Sequence, residues 1–118
     1  MNVSAPEDNW HQIGDEAVAL LKDYLSFDTA NPPGDVSSAA RFLKEKLDAS
    51  GISTKLFWSD RQNGKVNLLA RLEGTGAKAP LLMLHHMDVV PVDESGWTVD
   101  PFGDVEKDGY IYGRGALD

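Results

Sequence analysis

The sequence predicts an α/β layer architecture in a single domain. Residues 10–51 show helical periodicity, later residues form strand-like runs separated by tight-turn signals, and a near-continuous apolar run lies at 81–84. Because amphipathic helices bury their apolar stripes against a neighbouring layer, this order favours helices flanking a sheet. We find no internal repeat, low-complexity tract or interdomain linker in the 118 residues.

Two helices are predicted first. Asn31-Pro32-Pro33-Gly34 ends the first helix, because proline disfavours helix in the residue before it. The second helix is predicted to begin near Asp35 or Ser37, both good N-cap residues, and to end before Gly51, which suits a left-handed C-terminal position. The stripe predicted to face the core from the first helix comprises Trp10, Ile13, Ala17, Leu20, Leu21, Tyr24 and Leu25, and that from the second comprises Ala39 or Ala40, Leu43 and Leu47.

Strands are predicted over the rest of the chain. Residues 52–58 and 66–72 are two runs with Asn63-Gly64 as the turn between them. The apolar residues 81–84 are typical of a strand covered on both faces. Asp108-Gly109 predicts a small hairpin between Val105 and residues 110–112.

Charge and composition limit the function classes. The net charge of −8 argues against nucleic acid and anionic membranes as partners. With no cysteine, any metal must be held by imidazole and carboxylate, which suit zinc, cobalt, manganese or nickel. The N-terminus lacks the basic start and apolar core of a signal peptide and no run reaches transmembrane length, so a cytoplasmic location is expected.

The apolar run ends in two residues that can carry metal chemistry, His86 and Asp88. In an extended strand these two side chains share one face, where the carboxylate could hold the second ring nitrogen of a metal-binding histidine. Pro91 then ends the strand, and open α/β sheets bind ligands at strand ends. The alternative is a structural histidine paired with a nearby acid, and for His85, on the opposite face, the structural role is favoured.

The second candidate is Asp118. Gly113 and Gly115 flank Arg114, so the backbone can adopt conformations that would bring the carboxylate close to a metal. The alternative is an ordinary turn with a helix-capping aspartate, and Arg114 is open between a salt bridge and a substrate contact. Three residues are expected to pack the preceding loop onto the core, with an aromatic substrate platform as the alternative: Trp97, Pro101 and Phe102.

Four segments taken in order resemble the start of the co-catalytic zinc aminoacylase and carboxypeptidase family, which includes acetylornithine deacetylase, succinyl-diaminopimelate desuccinylase, aminoacylase, carboxypeptidase S and several dipeptidases. The resemblance runs from about Asn31 to Asp118. The segments are NPPG at 31–34, LLMLHHMDVVP at 81–91, GWTVDPFGDV at 96–105 and KDGYIYGRGALD at 107–118.

The resemblance assigns roles to three residues. His86 matches the histidine that binds one metal ion, Asp88 matches the aspartate that orients it and is counted as catalytic, and Asp118 matches the carboxylate that bridges both metals. The implied cofactor is two Zn²⁺ ions, with Co²⁺ or Mn²⁺ possible. The implied fold is a zinc-aminopeptidase-like three-layer sandwich with a mixed sheet between helices, of which residues 1–118 are the N-terminal part, without the lid domain and the C-terminal part.

The resemblance also implies a reaction, the hydrolysis of an amide bond in N-acyl amino acids or peptides. Complete members add a Glu-Glu pair, whose first member is the general base, and further metal ligands, so we expect the chain alone to be inactive. A homodimer formed through the lid domain is implied for the full-length protein. The alternative is a non-enzymatic, truncated binding or structural module of the same fold.

Overall fold

The computed structural model of this chain describes residues 9–118. The segment on which the signal-peptide prediction rests lies mostly outside the described residues. The elements are α1 (Trp10–Leu25), α2 (Ser37–Ala49), β1 (Ser53–Asp60), β2 (Lys65–Arg71), a short 3₁₀ turn (Glu94–Gly96), β3 (Val105–Lys107) and β4 (Tyr110–Tyr112). In the part of the chain described, neither helix combines the length and the apolar character needed to cross a membrane.

Helix α1 has the predicted position, but its apolar stripe is not buried as predicted. Trp10 is 70% exposed and Ile13 46% exposed, whereas Leu25 at the last turn is 5% exposed. Only the C-terminal end of α1 therefore packs against the described residues. Near that end, Lys22 Nζ donates a 3.1 Å hydrogen bond to Glu106 Oε2, which ties the helix to β3.

Helix α2 begins at Ser37, close to the predicted position, but its N-cap residue differs from the prediction. Val36 is the N-cap residue and makes no side-chain cap, in place of the predicted Asp35 or Ser37. Asp35 still satisfies a free amide of the first turn, because its Oδ1 accepts a 2.9 Å hydrogen bond from Ser37 N. Gly51 follows the helix at φ +75°, the left-handed conformation that was predicted there.

The core lies between α2 and the antiparallel hairpin of β1 and β2. Leu56 is opposite Leu68 in the register, and Trp58 is opposite Val66. Gly64 has φ +68°, which a side chain would disfavour, so the predicted turn at Asn63-Gly64 is confirmed. The core itself consists of Val36, Ala40 and Val66, with Leu56, Trp58 and Met87 packed against it.

The predicted buried strand at 81–84 is wrong for the described structure. These residues form no strand, and Leu81 and Leu84 are each 85% exposed. A strand covered on both faces needs neighbouring strands and helices above and below it. Among the described residues, 81–84 have no strand partner, and the one parallel bridge nearby, between Ala30 and Val89, lies after the segment.

The second sheet is the small hairpin of β3 and β4, as predicted. Asp108 and Gly109 have φ values of +55° and +79°, the two left-handed positions of a type I′ turn. The two hairpins form separate two-stranded antiparallel sheets. The α/β class is therefore confirmed, while a mixed sheet inside a three-layer sandwich stays a prediction.

We expect Val66→Ala to lower the free energy of unfolding by about 2 kcal/mol, because the side chain is almost fully buried. Val90→Ala is the matched control, since Val90 is 63% exposed, and should change it by less than about 0.5 kcal/mol. Urea unfolding of both variants measures the difference. Equal losses would contradict the core placed between α2 and the β1–β2 hairpin.

Candidate metal centre

The segment that carries His86 and Asp88 is held by residues that follow α1. Thr29, only 5% exposed, donates from Oγ1 to Met87 O at 2.7 Å. Val89 N donates to Thr29 O at 3.2 Å, and Asn31 N donates to Val89 O at 2.8 Å. We call these three bonds the clamp. They fix the backbone of residues 87–89 and so determine where the neighbouring side chains begin.

His86 uses both ring nitrogens. Its Nδ1 lies 2.6 Å from the backbone carbonyl oxygen of Asp88, and its Nε2 lies 2.8 Å from Asp118 Oδ1. A carbonyl oxygen can only accept, so Nδ1 carries the proton of the first bond. The structure thus brings together His86 and Asp118, which are 32 positions apart in the sequence.

Asp118 reaches His86 because two glycines let the preceding segment pack closely. Gly115 has φ +92°, and a Cβ built on it would lie 2.7 Å from Val89 Cγ1. A Cβ on Gly113 would lie 3.0 Å from Leu25 Cδ1. Side chains at either position would push this segment away from α1 and from the clamp.

Asp88 is placed differently from the prediction. Its carboxylate was predicted to hold the second ring nitrogen of His86, but Oδ1 is 3.6 Å from Nδ1, and the Asp88 backbone carbonyl makes the bond instead. The other carboxylate oxygen, Oδ2, accepts a 2.9 Å hydrogen bond from Asn31 Nδ2. That bond is the main reason why the pKa of Asp88 lies below its ordinary value.

These groups line an open cleft of about 720 Å³, with Trp97 and Arg114 on its wall. The Arg114 guanidinium carbon is 5.5 Å from the centre of the Trp97 ring, within the range of a cation–π contact. Arg114 N donates to the carbonyl of the buried Pro101 at 2.8 Å, which agrees with the prediction that this loop packs down. His85 does not line this cleft and instead meets the Tyr24 ring edge-on at 6.2 Å.

The contacts of His86 raise its pKa above the ordinary value. The hydrogen bond to the Asp118 carboxylate is the largest cause, and the bond to the Asp88 carbonyl adds to it. Both partners are acceptors, so this arrangement favours an imidazolium with a proton on each nitrogen. The proton on Nε2 occupies the position between imidazole and carboxylate where another cation would be held.

His86 and Asp118 fit part of a metal site. An imidazole nitrogen and a carboxylate oxygen are ligands that zinc accepts, and the Nδ1 bond to a carbonyl is the outer contact that a metal-bound histidine needs. Two ligands on a tetrahedral zinc are about 3.4 Å apart, so the 2.8 Å pair would open slightly, which the exposed Asp118 permits. Within residues 9–118, however, no group of three or more potential ligands is arranged to hold an ion.

Asn31 is the residue of this site that sequence reasoning missed. In the sequence it is the first residue of the NPPG segment, which was interpreted as a helix end and as part of the family resemblance, with no role at the site. Its bond to Asp88 joins residues 57 positions apart, and no local pattern indicates a contact of that range.

Comparisons with known proteins cover the residues of this site. Residues 82–118, which include His86, Asp88 and Asp118, match the model of peptidase family M20/M25/M40. Over these residues the chain is similar to members of that family. The resemblance found in the sequence is confirmed.

Relatives match over a longer part of the chain. Aminoacylase-1 of Sus scrofa is 36% identical over 104 residues, which cover 86% of this chain and 25% of the relative. Succinyl-diaminopimelate desuccinylase of Ruegeria pomeroyi is 39% identical over 87% of this chain and 26% of the relative. Acetylornithine deacetylase of Proteus mirabilis is 45% identical over 64% of this chain and 19% of the relative. The chain spans about a quarter of the length of the first two relatives.

We expect Gly115→Ala to separate Asp118 from His86. The added methyl would collide with Val89, and the φ of +92° disfavours any side chain. The measurement is the nuclear Overhauser contact between the His86 ring and Asp118. Gly74→Ala is the control, because a Cβ there meets nothing within 4 Å. An unchanged contact in Gly115→Ala would contradict the role given to this glycine.

We expect Asp118→Asn to bring the pKa of His86 down toward its ordinary value of about 6.5, because the largest cause of the raised pKa is removed. NMR titration of the ring protons measures this. Because the pKa of His86 is higher in the folded state than in the unfolded state, the contact stabilises the fold fully below the unfolded-state pKa. This stabilisation is lost as pH rises through the folded-state pKa. Asp93→Asn, at the N-cap of the 3₁₀ turn, is the control, and equal pKa values of His86 in all three proteins would contradict the contact.

Proposed function

We propose that this chain supplies part of the active site of a metal-dependent amidohydrolase that cleaves the amide bond of N-acyl amino acids or peptides. The observation that carries the proposal is the 2.8 Å approach of His86 Nε2 to Asp118 Oδ1 in the open cleft. The names of the relatives, an aminoacylase, a desuccinylase and a deacetylase, support acyl groups on amino acids as the substrate class.

In this proposal His86 and Asp118 would hold divalent metal, preferably zinc, with cobalt or manganese as substitutes, and Asp118 would be the carboxylate shared by two ions. Bound there, the metal would polarise the scissile carbonyl and lower the pKa of water. Asp88 keeps the imidazole oriented through its backbone carbonyl, so that Nε2 faces the cleft. Arg114 and Trp97 line the cleft wall, and in this proposal they would contact the substrate.

The same proposal extends to the parts that the chain does not include. Residues 1–118 are the N-terminal part of a catalytic domain with the three-layer sandwich fold, and a lid domain forms a homodimer in the longer, cytoplasmic protein. The relatives' greater length supports this assignment. A general base and further ligands then come from other segments, and the described chain alone is inactive.

A second candidate function is a non-enzymatic binding or structural module of the same fold. The observation that favours it is that the proposed site has two protein ligands, His86 and Asp118, whereas catalytic zinc sites use three protein ligands and water. The two proposals differ in whether metal binding depends on His86.

We expect the chain to bind Zn²⁺ weakly and His86→Ala to abolish that binding, because Nε2 is one of only two ligands in the described cleft. Isothermal calorimetry with ZnCl₂ measures it. His11→Ala is the matched control, since His11 lies on the exposed surface of α1, and should bind as the parent chain does.

Two outcomes would contradict the proposal. Identical zinc isotherms for the parent chain and His86→Ala would remove His86 as a ligand, and absence of zinc binding would remove the site from this chain. Chelator-sensitive hydrolysis of an N-acyl amino acid by the purified chain would contradict only its inactivity, because the general base would then have to lie within residues 1–118.

A further inference from the structure

We propose that Asn31 is a positioning residue that fixes the Asp88 carboxylate beneath His86. The inference rests on the proposed function, because Asp88 matters there through its hold on the metal-binding imidazole. Asn31 contacts neither ring nitrogen of His86 and acts through Asp88.

Asn31 donates two hydrogen bonds, one to the Asp88 side chain and one to the backbone of the next residue. Its side-chain Nδ2 donates to Asp88 Oδ2 at 2.9 Å, and its backbone N donates to Val89 O at 2.8 Å. The carboxylate and the following carbonyl are thereby tied to one residue. The intervening Asp88 carbonyl is left to accept from His86 Nδ1 at 2.6 Å.

The Asn31 side chain is itself held in place. Gly34 has φ +68°, and a Cβ built on it would lie 2.8 Å from Asn31 Cγ, so the missing side chain leaves room for the carboxamide. Lys65 Nζ donates to Gly34 O at 2.9 Å and also to Pro33 O, which anchors the turn from the core hairpin. The Asn31 carboxamide therefore lies against Gly34, in a turn that Lys65 anchors.

The two oxygens of Asp88 consequently have different surroundings. Oδ2 is occupied by Asn31, while Oδ1 lies 3.6 Å from His86 Nδ1. A carboxylate without the amide donor could rotate about its side-chain bonds and compete with its own carbonyl for the imidazole. Asn31 prevents this rotation and leaves the carbonyl as the partner of Nδ1.

The test is the protection of the His86 Nδ1 proton, measured by NMR on the ¹⁵N-histidine-labelled chain, with the signal assigned from His86→Ala. Asn31→Leu keeps the side-chain volume and removes the donor. We expect the Nδ1 proton to exchange about tenfold faster, the change that corresponds to one hydrogen bond. The double variant Asn31→Asp with Asp88→Asn reverses the bond and should restore the slow exchange.

Asn63→Leu is the matched control. Asn63 Nδ2 donates to Asp60 Oδ2 at 2.6 Å in the β1–β2 turn, so the variant removes the same type of bond away from the cleft. It should leave the Nδ1 signal unchanged. Equal exchange in Asn31→Leu and the parent chain, or equal acceleration in Asn63→Leu, would overturn the inference.

A zinc titration separates this inference from the proposed function. If Asn31 positions Asp88, Asn31→Leu should weaken Zn²⁺ binding by about tenfold or more, the usual effect of an outer-sphere partner. If neither His86→Ala nor Asn31→Leu changes zinc binding, while the Nδ1 proton exchanges as expected, the metal site is rejected and the positioning role of Asn31 is kept. If zinc binding is lost in His86→Ala but unchanged in Asn31→Leu, the metal site is kept and the effect of Asn31 on zinc binding is rejected.

Discussion

The clamp between residues 29–31 and 87–89 is the constraint on which the candidate site depends. In the described residues the segment before Val89 has no strand partner, and Leu81 to Leu84 are exposed. Hydrogen bonds from Thr29 and Asn31 are what give the backbone of 87–89 a defined position. Without that position neither the Asp88 carbonyl nor the His86 ring would have a fixed direction.

The electrostatics of the cleft follow from this geometry. His86 is placed between two acceptors, a carbonyl on one side and the Asp118 carboxylate on the other. Such a position favours positive charge on or beside the imidazole, whether the charge is a proton or a metal ion. The same contacts raise the pKa of His86, so in the proposed metal site a divalent cation would have to displace the proton on Nε2.

Local patterns predicted the helices and hairpins well, because their signals lie within a few residues. Asp108-Gly109 and Asn63-Gly64 specify their turns through the left-handed φ that glycine allows. Burial was predicted poorly, since it depends on what packs against an element. Trp10, on α1, is exposed for that reason, as is the run at 81–84.

The candidate site was predicted in part. The choice of His86 and Asp118 followed from motif resemblance, and the structure places them in contact. Asn31 was missed because its partner is 57 positions away. Thr29 and Met87 are 58 positions apart and close the same long loop, and loop-closure entropy rises only by about 0.6 kcal/mol for each doubling of length. The contact of His86 with Asp118 is thus a property of tertiary connectivity, and excising either contiguous motif as a peptide would not preserve it.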